Sequence, residues 1–140
     1  MSDAAVVLVD TGPLVALFDP SDADHERCKR ALAQLRQKRR VTSLAVLTEA
    51  VYLLGFSPRA QQAVLAFVAA GAVEVAEFGP AQVSRAAALM RRYESLPMDF
   101  ADATLVVLAE DLQTTSVFTL DRRDFSVYRI KRRAFRTTPA

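Results

Sequence analysis

The chain of 140 residues has one cysteine, one histidine, no tryptophan and only four glycines. Cys28 has no partner for an intramolecular disulfide, which fits a reducing compartment and makes the cytosol the expected location. His25 and Cys28 fall in one predicted helix, in no spacing that suits a soft metal ion, and neither has a visible base partner. Both read as ordinary helix residues. No apolar run approaches the roughly 18–20 residues of a membrane span, so no membrane role is expected. Asp3, and no basic residue, precedes the first apolar run, unlike the start of a signal peptide. Four glycines are also few for the many tight turns of an all-β chain.

What the chain does contain is a globular composition, with 51% hydrophobic and 24% charged residues. Its length suits one domain with a sizeable core. Net charge is only +2, yet seven basic residues fall between Arg27 and Arg40 and seven more between Arg122 and Arg136. Such clusters can neutralise phosphates and bind nucleic acid, or can simply be a solvated helix face and a basic C-terminal tail from about residue 129.

The first motif is VVLVDTGPL, residues 6–14. Four apolar residues, three of them β-branched, run into Asp10, as in a strand buried on both faces. Pro13 is tolerated in a first helical turn, and Thr11 or Gly12 can cap a short helix over residues 14–18. The periodicity then predicts a long helix from about residue 23 to 38, a strand at 41–43 and a helix over 44–54 that carries Glu49. A helix at 58–70 follows, ended by Gly71; its apolar surplus suits either deep burial or contact with another protein. A strand at 73–75, a helix at 81–94, a helix at 99–110, a strand at 116–120, a turn at 121–124 and a short strand at 127–130 complete the pattern. Strands alternating with helices predict an α/β fold: a three-layer α/β/α sandwich with a central, mostly parallel sheet.

Asp10 ends the first strand, Asp99 and Asp102 share the face of a helix start, and Asp121 follows the last clear strand with Asp124 three residues on. In a parallel sheet these positions meet at the carboxyl edge, and Glu49 joins them if its helix turns inward. Each acid alone has a structural explanation, since Asp99 can cap a helix, Asp121 and Asp124 can form turns, and Glu49 can face solvent. Converging, they would repel and take up protons unless a cation were present, and hard cations such as Mg²⁺ or Mn²⁺ favour such oxygen ligands.

Four segments in order, LVDTGPLVALFD, TSLAVLTEAVYLL, MDFADATLVVLAE and VFTLDRRDF, resemble the PIN-domain ribonucleases, in particular the VapC-like toxins of toxin–antitoxin pairs. The resemblance spans nearly the whole chain, as a single PIN-like domain over residues 1–140. It implies that Asp10, Glu49, Asp102 and Asp121 are the acidic site residues, with Asp99 a further metal ligand and Asp124 an alternative to Asp121. Thr11 and Thr119 match small polar residues that support these acids. It also implies Mg²⁺ or Mn²⁺ dependence, cleavage of RNA held by Arg122 and Arg123 among other basic residues, homodimerisation and neutralisation by a cognate antitoxin. The alternative is a PIN-like module that binds RNA or protein without cutting. Asp10-Thr11-Gly12 also fits an aspartic protease, but the helical periodicity opposes that all-β fold. Gly12 stands where a haloacid-dehalogenase-like phosphatase needs a second aspartate, and a receiver domain would need an early adjacent acid pair that is lacking.

Overall fold

Val7, Leu8 and Val9 are all buried, so the first strand, β1 (Val6–Val9), needs cover on both faces and on both edges. The computed structural model, which describes residues 5–139, provides it; Asp3 lies outside the described residues. β1 is the centre of a five-stranded parallel sheet. On one side it pairs with β2 (Arg39–Thr42), which pairs with β3 (Glu74–Val75). On the other it pairs with β4 (Ser116–Phe118), which pairs with β7 (Arg136–Thr138). Leu8 is in register with both Val41 and Val117, and all three are fully buried. Burying a Leu or Val side chain is worth roughly 1.5–3 kcal/mol, which makes this row a major source of stability.

Between β1 and β2 run α1 (Thr11–Phe18) and α2 (His25–Gln34), and between β2 and β3 run α3 (Leu44–Leu53) and α4 (Pro58–Ala69). α5 (Pro80–Arg92) and α6 (Phe100–Leu112) then lead to β4, followed by α7 (Arg122–Phe125). α1 packs against α2, α3 and α4, whereas α5 packs on α6, forming helical layers about the sheet, bridged where α3 meets α6. The chain moves outward through β2 and β3, then jumps back across β1 to β4. The β1–β4 boundary is therefore the topological switch point, and ligand sites of open α/β sheets lie at its carboxyl end. α6 is buried without a break from residue 101 to 109, so Asp102 enters the interior on a helix whose only other buried polar side chain there is Thr104.

Several local expectations change. α1 begins at Thr11, earlier than expected, because Asp10 is itself the cap: its side chain accepts the Thr11 N–H at 2.8 Å. α2 stops at Gln34, well short of residue 38; the Arg40 guanidinium donates to the Leu35 and Lys38 carbonyls at 2.8 and 3.1 Å, satisfying acceptors beyond the last turn. Arg40, like the ion-paired Arg39 (2.8 Å to Glu74), thus serves the fold. The strand expected at 127–130 does not complete the sheet. Only β5 (Arg129–Ile130) forms there, in an antiparallel hairpin with β6 (Arg133–Ala134), and β7 is the edge strand beside β4. Gly71 ends α4 as expected, at φ +90°. α4 buries Ala60 and Val64, and its Phe67 packs edge-on to Phe18 at 5.2 Å. The larger exposed apolar surface is on and after α3, at Leu44, Tyr52 and Phe56. Among the described residues, no helix is long and apolar enough to cross a membrane.

Candidate active site

The carboxyl ends of β1 and β4 are hydrogen-bonded to each other, Asp10 N–H to the Phe118 carbonyl at 2.9 Å, and this fixes where Asp10 emerges. Its carboxylate is almost wholly buried (6% exposed). Besides capping α1 through Oδ1, it accepts the Thr119 hydroxyl at Oδ2 (2.7 Å). Thr119 Oγ1 also accepts the Asp121 N–H at 2.9 Å, so one threonine orients two acids. Thr11 turns its hydroxyl to Glu49 Oε1 at 2.8 Å, drawing this half-buried α3 side chain toward Asp10.

Asp99 caps α6 by accepting the Asp102 N–H at 2.8 Å. Asp102 does not serve as a reciprocal capping residue. Its Oδ2 accepts the Tyr128 hydroxyl at 2.8 Å. Asp121 caps α7 through the Asp124 N–H (3.1 Å), and carboxylate oxygens of Asp102, Asp121 and Asp124 all lie within 4.8 Å of one another. Both registers of the last motif therefore reach the site. Asp10, Glu49 and Asp99 line the same cleft, of about 590 Å³. Arg122 and Arg123 are exposed on α7 and do not line it.

Asp22 and Asp24, in the loop before α2, bring the carboxylates lining the cleft to eight; no lysine, arginine, histidine or cysteine among the described residues lines it. In the sequence, Asp22 and Asp24 stand at the start of the helix predicted from about residue 23, where acids are ordinary helix-cap residues. Their half-turn spacing gave no sign that the loop folds back over the carboxyl edge. Tyr128 lies in a segment that reads as a strand, and its hydroxyl meets Asp102 across 26 residues of chain, which no local spacing signals.

Acids at this density are costly to ionise. Burial pushes Asp10 up to about 6, against the hydrogen bonds from Thr119 and Thr11, with the charges of Asp121 and Asp99 adding to the rise. Asp102 is pushed up to about 8, first by burial and then by the charge of Asp10, although the Tyr128 hydrogen bond opposes this. Asp124 is raised by desolvation and by Asp121. The donor set is all hard oxygen, as Mg²⁺ and Mn²⁺ require.

The model of the PIN domain family matches residues 7–131 of this sequence. The chain belongs to the PIN-domain family. It is 35% identical over 125 residues to the ribonuclease VapC26 of Mycobacterium tuberculosis, covering 88% of this chain and 92% of that protein. The PIN fold is seen again in the crystal structure of M. tuberculosis VapC20, described as a toxin that cleaves the sarcin–ricin loop. That structure superposes with a TM-score of 0.79 at 24% identity, covering 89% of this chain and 97% of VapC20. A structure of VapBC2 from Rickettsia felis, bound to a DNA fragment from its promoter, matches with a TM-score of 0.67 at 17% identity, covering 94% of this chain and 98% of its match.

The raised acids of this PIN domain make its stability depend on pH. A carboxyl group that holds its proton more tightly when folded favours the folded state below its unfolded value, near 3.8, and loses that contribution as pH rises through its folded value. In chelator the midpoint of urea unfolding should therefore fall between about pH 4 and pH 8, through Asp10 and then Asp102. Millimolar Mg²⁺ should restore most of the loss at pH 8. A midpoint that rises over this range would contradict the assignment.

Proposed function

We propose that this protein is a divalent-metal-dependent endoribonuclease and the toxin of a type II toxin–antitoxin pair. The observation that carries the proposal is the cleft at the β1–β4 switch point, where eight carboxylates converge, no lysine or arginine among the described residues lines the cleft, and only Asp24 has an ion-pair partner, Arg27 at 3.4 Å. The relationship to VapC26, a ribonuclease, over nearly the whole of both chains supports the same reading.

Asp102, Asp121 and Asp124 would hold a Mg²⁺ or Mn²⁺ ion, and Asp10 and Asp99 would contribute from the cleft walls. When bound, such an ion lowers the pKa of a water and offsets charge on a phosphodiester. Glu49, held at Oε1 by Thr11, takes a proton from the attacking water as the water oxygen bonds to phosphorus; the bond from phosphorus to the leaving ribose oxygen breaks, and that oxygen takes a proton from solvent. Thr119 keeps Asp10 turned into the cleft. Arg122 and Arg123, exposed immediately after Asp121, grip backbone phosphates and carry no sequence information. The substrate is a single-stranded or structured RNA, recognised through loop shape and unstacked bases.

The exposed α3 face, with Leu44 62%, Tyr52 79% and Phe56 66% exposed, supports a homodimer. It borders a groove of about 590 Å³ walled by Phe78, Val83 and Phe100, larger in apolar character than a lone surface helix requires. The cognate antitoxin covers the acidic cleft with a segment that supplies the positive charge the cleft lacks.

Asp10→Asn with Asp102→Asn should reduce Mg²⁺-dependent RNA cleavage by at least about 100-fold, while the protein melts no lower than wild type at pH 8 in chelator. Cleavage at the wild-type rate by the double variant would reject the site. Tyr52→Glu should convert the dimer to a monomer in light scattering; an unchanged mass would place the contact elsewhere.

A further inference from the structure

Tyr128 is fully buried, yet its hydroxyl is spent on one acid of the cleft, Asp102 Oδ2, at 2.8 Å. Its ring is clamped edge-on by Phe125 and Tyr93, each with centroids at 5.1 Å, and Phe125 is in turn packed by Phe135 at 5.2 Å. Its backbone N–H donates to the Asp124 carbonyl at 3.2 Å. The run from Asp121 to Tyr128 is thus one compact unit that presents two cleft acids on one side and a hydroxyl donor to a third acid on the other.

We propose that Tyr128 is a positioning residue for the metal site, holding the Asp102 carboxylate in the orientation that meets Asp121 and Asp124. This rests on the reading of the cleft as a metal site. A buried aromatic ring needs no polar partner to pack, so a phenylalanine would fill the same space. The hydroxyl adds one thing, a directional bond from a donor whose ring is packed by Tyr93 and Phe125. A carboxylate so held has lost one of its roughly four acceptor positions and its freedom to rotate, and keeps the rest for a ligand. Outer partners of this kind typically strengthen metal binding by about 10–100-fold. Because the donor and the other two acids belong to one segment, any shift of α7 moves all three contacts together.

Mn²⁺ titration by calorimetry of wild type, Tyr128→Phe and Tyr93→Phe tests the proposal. Tyr93 is the internal control: it packs in the same cluster, but its hydroxyl accepts the Arg129 N–H at 3.0 Å and touches no cleft acid. Tyr128→Phe should bind Mn²⁺ at least about 10-fold more weakly, and Tyr93→Phe as wild type does. RNA cleavage by Tyr128→Phe should be low at limiting Mn²⁺ and recover when the ion is raised, with KM for RNA unchanged. Wild-type affinity in Tyr128→Phe, or an equal loss in both variants, would overturn the role of Tyr128 while leaving the metal site standing. A wild-type protein that binds no Mn²⁺ would overturn both.

Discussion

Mutual repulsion among carboxylates is the constraint on which this structure turns. Eight acids border one cleft, and burial first, with the neighbouring carboxylate charges adding to it, raises Asp10 and Asp102 well above the ordinary carboxylate range. A fold that only needed stability would replace these groups with apolar ones, since isolated buried charge is strongly unfavourable. Retaining them makes sense when a cation completes the site. Local contacts offset part of the cost. Asp10, Asp99 and Asp121 each cap a helix, so the backbone N–H groups that open α1, α6 and α7 offset part of the negative charge.

Three hydroxyls divide the remaining work. Thr119 serves Asp10, Thr11 serves Glu49 and Tyr128 serves Asp102, each at 2.7–2.8 Å. The three donors come from β4's end, α1's first turn and the chain after α7. The site is therefore held by contacts between elements far apart in sequence, and its precision is a property of the folded sheet. The Ser43 hydroxyl, which caps α3 and bonds Thr104 at 2.7 Å, ties the helix of Glu49 to the helix of Asp102 in the same way.

Much of this was legible in the sequence, for identifiable reasons. An apolar run as dense as VVLV closed by Asp-Thr-Gly-Pro can hardly be anything but a buried strand meeting a turn, and the alternation of strands with long helical segments left a parallel sheet as the consistent solution. The motif order pointed to the acids that the fold does bring together. What stayed hidden was set by contacts through space. The cap role of Asp10 was masked by three better-placed turn residues. β7 is a short strand of arginine and threonines in a basic segment, and only pairing with β4 makes it a strand. Tyr128 meets Asp102 across 26 residues of chain, a pairing no local pattern encodes. Arg39 and Arg40 read as part of a phosphate-binding cluster, yet Glu74 and main-chain carbonyls engage them.

The central claim is that these acids form one cation site whose ion displaces a proton. Calorimetric titration of the wild-type protein with Mn²⁺ at pH 7, repeated in buffers of different ionisation heat, tests it most directly. With Asp102 near 8 and Asp10 near 6, binding should release about one proton, so the apparent heat should change with the buffer. Binding whose heat is the same in every buffer, or no binding at all, would contradict the account.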